Sequence, residues 1–296
     1  MTQEIAQFET ERNYYVNIRE FKGGAIEAVT KCVRPMQRES AKARWENFGM
    51  SGFKVMKDDE VISDFERQAN WSRAVRRAKQ SIRFLCKDMQ ADRLFTLTYR
   101  ENVLDREQVK EDFTRFVRLA RRELGEWAYV AVLERQDRGA YHIHCAVRGW
   151  QRIKVLRACW HEALGIKGSI RAIRNSDLVL AKGDDSPGNV DVTSPRSGEG
   201  RSGRSWRTDR LAGYVTKYLH KTFDETAAEK RRYWSAKEIK KPVPTRVWLG
   251  ATNALEAIQE THQVLDLYYG LEPGFAMWLS DDQTCFWLGG RVQGAT

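Results

Sequence analysis

The sequence predicts an α+β protein. Three observations carry that reading: a strand pattern at 94–99, an amphipathic helix beginning at Asp105, and two strand patterns joined by the short link Asp137-Arg138-Gly139. The first, LFTLTY, alternates apolar and small polar residues and is rich in types that favour strands. Asp105 suits a helix N-cap, with Gln108 three residues on to close a capping box. Val109, Phe113, Phe116, Val117, Ala120 and Leu124 then form one apolar stripe, and Gly125 is placed to end the helix. Strand patterns follow at 127–135 and 140–148, and a helix at about 151–163. Residues 167–182 are ambiguous, and 188–192 read as a short strand.

From 183 to 207 the chain is rich in Gly, Ser, Pro and Arg, the composition of a mobile basic loop. A helix from Leu211 to about Phe223 comes next. Beyond 225 the pattern is mixed: a charged helix (DETAAEKRRYW), a proline-containing link, a helix at 251–265 and an aromatic end. Upstream, residues 1 to about 90 read as a helical, basic leader. There Val75, Ala78, Ile82, Leu85 and Met89 recur at helical spacing, with Arg73, Arg76, Arg77, Arg83 and Lys87 largely on the other side.

Fifty Lys and Arg against forty Asp and Glu give a net charge of +10 over 296 residues. A basic surface attracts phosphate backbones, and ten Trp and ten Tyr supply flat faces on which unpaired bases can stack. No stretch approaches the roughly 18 apolar residues of a membrane span, and the N-terminus lacks the apolar core of a secretory signal. The five cysteines include no CxxC pair. That usage fits a reducing cytosol and argues against a disulfide scaffold or a structural zinc cluster.

YHIHC (141–145) alternates, so in a strand His142 and His144 point to one face. Two imidazoles side by side make half of a divalent-metal site. A three-residue hairpin loop with Gly139 in the left-handed position pairs Arg135 with Tyr141 and Glu134 with His142. Opposed residues share a face, so Glu134 joins the two histidines as a third ligand. Taken alone, HxH is also what an ordinary polar strand face shows. His161, His220 and His262 lack such company and read as structural or surface residues.

GYVTKYLHK (213–221) lies on the helix from Leu211. Tyr214, Lys217, Tyr218 and Lys221 follow the i, i+3, i+4, i+7 rule and share one face. Leu211, Val215 and Leu219 form the stripe that docks the helix. A phenol is a poor nucleophile at neutral pH unless its anion is stabilised, and each tyrosine has a lysine three residues on. An amphipathic helix with aromatic packing and solvated lysines is the other reading of this segment.

Together, FTLTY (95–99), the ER…RG…HIH segment (134–144) and YVTKYLHK (214–221) resemble the three ordered motifs of HUH endonucleases. They look most like the replication initiators of small single-stranded DNA phages and rolling-circle plasmids, and GNVDV (188–192) is similar to that group as well. The resemblance covers about 91–223. It implies a central antiparallel sheet, of an RRM-like or ferredoxin-like kind, flanked by helices. The expected organisation is then a helical basic N-terminal extension (1–90), an endonuclease domain (91–224) and a C-terminal extension of unknown role (225–296). It also implies Mg²⁺ or Mn²⁺ held by His142 and His144, which Glu134 joins on the register argument, with Tyr214 and Tyr218 as nucleophiles assisted by Lys217 and Lys221. The substrate implied is single-stranded origin DNA, in a hairpin or loop, in a bacterial host cytoplasm. Arg73, Arg77, Arg138, Arg196, Arg201 and Arg204 are the expected backbone contacts. No GxxxxGK[ST] phosphate loop is present, so unwinding falls to a separate host helicase and synthesis to a host polymerase. A related transposase or relaxase, or a non-catalytic DNA-binding replication protein, is the alternative.

Overall fold

A computed structural model describes residues 14–33, 64–175, 186–193, 207–217, 233–281 and 284–292. The chain divides into two compact units, one of Ser63–Lys241 and one of Met1–Ile62 with Pro242–Thr296. Each holds a five-stranded antiparallel sheet, so the fold is α+β. Among the described residues no helix is long and apolar enough to cross a membrane.

In chain order the elements are β1 (Tyr14–Glu20), β2 (Ala25–Cys32), α1 (Asp64–Asp88), β3 (Arg93–Tyr99), α2 (Arg106–Leu124), β4 (Val130–Arg135), β5 (Tyr141–Val147), α3 (Ile153–Ala163), α4 (Ser169–Arg174), β6 (Gly188–Thr193), α5 (Thr208–Lys217), β7 (Tyr233–Ser235), β8 (Thr245–Leu249), α6 (Ala254–Tyr269), β9 (Ala276–Leu279) and β10 (Cys285–Arg291).

The larger unit runs β3-α2-β4-β5-α3-β6 and orders its sheet β6-β3-β5-β4-β7. That is the β-α-β-β-α-β arrangement of ferredoxin-like folds, with β7 added at one edge. One face of this sheet is an aromatic layer. Phe116 packs edge-on against Trp127 (5.5 Å between centroids) and Trp160 (5.7 Å), and Phe95 and Tyr99 of β3 meet Trp127 and Trp160. These rings come from α2, α3, β3 and the segment leading into β4, so α2 and α3 cover that face. Helices α1 and α5 pack on each other, α1 on β4 and β7, and α5 on β5. With the first face taken, they lie on the second. The stripe expected on α1 is buried at Val75, Ala78, Ile82, Leu85 and Met89. Asp105 caps α2 by accepting the Glu107 N–H at 2.9 Å, and Gly125 ends it at φ 79°.

In the smaller unit the strands run β8-β1-β2-β10-β9, with α6 over a core of Val16, Ile18, Ile26, Ala28, Leu265 and Leu288. Residues 14–32 were expected to be helical and instead form the β1–β2 hairpin. YYVNIRE and AIEAVTKC alternate with period two, and Gly23 and Gly24, both at φ 72°, supply the left-handed turn between them. The expected charged helix after 225 lies mostly outside the described residues, but Tyr233 and Trp234 belong to β7. There Trp234 pairs with Ala131 and stacks on Phe113 at 5.1 Å.

Candidate functional site

The β4–β5 hairpin closes with Gln136 N–H on the Ala140 carbonyl at 2.8 Å, and Gly139 takes φ 89°. This loop sets Arg135 opposite Tyr141 and Glu134 opposite His142, the register that its length predicts. His144 stands opposite Thr96 of β3, and Thr96 stands opposite Asp191 of β6. Strand alternation therefore gathers Glu134, His142, His144, Thr96 and Asp191 on the face away from the aromatic layer.

His144 and Glu134 are buried polar residues within a mostly apolar sheet, 6% and 8% exposed. Such groups need partners, and they have them. His144 Nε2 lies 2.7 Å from Glu134 Oε2, and its Nδ1 lies 2.9 Å from Thr96 Oγ1. His142 is half-buried, with Nδ1 3.2 Å from the Gln136 amide nitrogen. Gln136 Oε1 in turn accepts from Arg138 Nε at 3.0 Å. Burial lowers the pKa of His142, helped by His144 and Arg138 and opposed by Glu134 and Asp191. The ring is therefore held neutral at neutral pH, the form that keeps a lone pair for a ligand.

Asp191, Thr96 and Gln136 were not singled out from the sequence. Asp191 is exposed and accepts from Asn189 Nδ2 at 2.7 Å, and Asn189 is held by Arg157 Nε of α3 at 2.9 Å. The signal available was the alternation of GNVDV, which puts Asn189 and Asp191 on one face. The alternation does not say which strand lies beside it. Gly188 has its own reason: a Cβ there would sit 2.2 Å from the Thr98 carbonyl oxygen. Only glycine lets β6 pair this closely with β3. His161 is structural, as expected. It is fully buried, with Nε2 donating to the Gly188 carbonyl at 2.9 Å.

On α5, Leu211, Ala212 and Val215 are buried and dock the helix. Tyr214 is half-buried against the same core. The exposed Lys217 carries its Nζ 5.4 Å from the centre of the Tyr214 ring. Arg73 and Arg77 are exposed on α1, and Arg138 is exposed at the hairpin tip. Tyr218, Lys221, Arg196, Arg201, Arg204 and His220 lie outside the described residues.

Among the described residues no group of three or more His, Cys, Asp or Glu side chains is arranged to close around a metal ion. The donors are nonetheless of the right kind, two imidazoles and a carboxylate. His144 Nε2 and Glu134 Oε2 are hydrogen-bonded at 2.7 Å, close to the roughly 3 Å between neighbouring donors on a small divalent cation bound at about 2.1 Å. A cation can replace the proton of that bond, with Thr96 then accepting from His144 Nδ1–H. For His142 to offer Nε2 in the same way, the Gln136 amide must turn so that its oxygen accepts from Nδ1–H.

Residues 92–223 match the family model for replication-associated protein ORF2. No curated protein matches the chain. The matched segment falls wholly within the larger unit and includes every member of the polar row.

Proposed function

We propose, on the premise that residues 92–223 form a Rep-like domain of this replication-associated protein family, that the protein initiates DNA replication by nicking single-stranded origin DNA through a tyrosine. The observation that carries the reading is the polar row of Glu134, His142 and His144 on the sheet face where α5 packs on β5.

His142, His144 and Glu134 would hold Mg²⁺ or Mn²⁺, which when bound supplies a positive charge against the oxygens of the scissile phosphate. The chain's own groups do the rest. The Tyr214 or Tyr218 oxygen attacks phosphorus in line. The new bond is tyrosine O–P, the broken one is P–O3′, and the phenol proton ends on the released 3′-hydroxyl. Lys217, beside the Tyr214 ring, offsets charge on the phenolate and the phosphate. The product is a 5′-phosphotyrosine and a free 3′-OH from which a polymerase can extend. Attack of a 3′-OH on the phosphotyrosine reverses the step and rejoins strands, with no nucleotide cofactor consumed. The neutral state of His142 suits ligation, and exposed Arg73, Arg77 and Arg138 suit backbone contact, with Arg196, Arg201 and Arg204 proposed for the same role.

The test is to incubate the protein with labelled single-stranded DNA from its own replicon and Mn²⁺ or Mg²⁺, then run a denaturing gel. A covalent protein–DNA band supports the reading. Binding without any adduct would point instead to a non-catalytic replication protein.

A further inference from the structure

The smaller unit lies outside the family-matched segment, and its sheet has two unlike faces. Helix α6 covers the one built from Val16, Ile18, Ala28, Phe286 and Leu288. The other face follows from the register. Trp248 stands opposite Tyr15, Tyr15 opposite Lys31, Arg246 opposite Asn17, and Trp287 opposite Trp278. One sheet face therefore presents four aromatic rings interleaved with Arg246 and Lys31. Trp248 is 45% exposed and Trp278 56%.

The rings are held as platforms rather than packed away. A Cβ at Gly289 would meet the Trp287 ring at 2.5 Å, so the indole lies flat over that glycine. Its Nε1 donates to Glu27 Oε2 at 3.4 Å, and Glu27, the only carboxylate among the described strand residues of this face, is fully buried. Trp287 itself is half-buried. Tyr15 is sandwiched differently: Trp248 lies 5.3 Å from it at a tilt, and the Arg246 guanidinium sits 4.4 Å over its ring while donating to Asn17. Flat aromatic faces alternating with cations match unpaired bases with phosphates between them. A duplex hides its base faces and would use the cations alone. A protein partner would have to cover the cations without a matching carboxylate.

We propose that this face is a second binding surface, for single-stranded DNA. Bases stack on Trp248, Trp278 and Trp287, and Arg246 and Lys31 meet the backbone. The proposal rests on the reading of the protein as an initiator acting on single-stranded DNA, and it assigns the smaller unit the task of holding the strand.

The experiment uses the full chain and a fluorescent thymidine homopolymer, read by anisotropy over a salt series without divalent cation. Trp248→Ala and Trp278→Ala should each weaken binding by roughly 5- to 100-fold, while the Phe variants retain most of it. Arg246→Gln should reduce the salt slope by about 0.7. Bromodeoxyuridine in the same oligomer should photocrosslink to peptides containing Trp248, Trp278 or Trp287. Wild-type affinity in both Ala variants, or crosslinks confined to residues 92–223, would overturn the proposal. So would a Trp248→Ala effect on oligomeric state with none on DNA, or binding to a ribo-oligomer but not to the deoxy-oligomer. Because no cleavage is read, a missing covalent adduct would remove the nicking mechanism and leave this surface standing. Normal homopolymer binding by the variants would do the reverse.

Discussion

Glu134 Oε2 bonds His144 Nε2 at 2.7 Å although the register puts Glu134 directly opposite His142. The carboxylate reaches along the hairpin to the diagonal neighbour on its own face, so it stands opposite one histidine and bonds the other. In the proposed function that link is where a cation replaces a proton. Mn²⁺ should therefore raise the thermal midpoint of the wild-type protein. At about 100 times Kd the gain is roughly 2.7 kcal/mol, or about 5–10 °C for a domain of this size. His144→Ala should abolish the shift and Glu134→Gln should reduce it. A wild-type protein whose midpoint ignores Mn²⁺ and Mg²⁺ would refute the metal assignment.

Asp191 lies in the same row and is steadied through Asn189 by Arg157. Asp191→Asn should lower adduct formation about 10- to 100-fold, the usual cost of disturbing a group that supports a metal site. Its exposure means the fold should be untouched. An Asp191→Asn protein that cleaves at the wild-type rate would remove it from the site.

His142 and His161 are both held below the ordinary histidine pKa, chiefly by burial. In the unfolded chain they titrate near 6.5. As pH falls through that value the unfolded state takes up protons that the folded state does not, so stability present above it is lost on acidification. His161→Gln keeps a donor for the Gly188 carbonyl without the titration. Its urea midpoint should change less between pH 7 and pH 5 than that of the wild type. An equal or steeper change in the variant would contradict the assignment.

Gly188→Ala would place a methyl 2.2 Å from the Thr98 carbonyl oxygen, a backbone atom that cannot swing aside. The expected loss is about 1–3 kcal/mol, seen as a lower thermal midpoint. Because β6 carries Asp191, adduct formation should fall with it. An unchanged midpoint would mean that β6 and β3 pair less closely than described.

Local patterns made most of the larger unit legible. The loop Asp137-Arg138-Gly139 was enough to place Glu134 opposite His142, because a three-residue turn leaves one register. The stripe on α2 and the docking residues Leu211 and Val215 followed from helical period. What stayed hidden depends on distant pairing. Nothing near Asp191 says that β6 lies beside β3, and nothing near Tyr15 says that its neighbour is Trp248, more than two hundred residues away in sequence. The β1–β2 hairpin was legible and missed, since the basic helix at 71–89 set the expectation for everything before it.

The central claim is that a tyrosine of this chain becomes bonded to DNA. Labelled single-stranded origin DNA, incubated with Mn²⁺ and wild-type, Tyr214→Phe, Tyr218→Phe or doubly substituted protein, should be resolved on a denaturing gel. The account predicts a covalent band with the wild type, a residual band with each single variant and none with the double variant, because phenylalanine keeps the ring and removes the attacking oxygen. A full-strength band from the double variant, or none from the wild type on cleavable origin DNA, would contradict it.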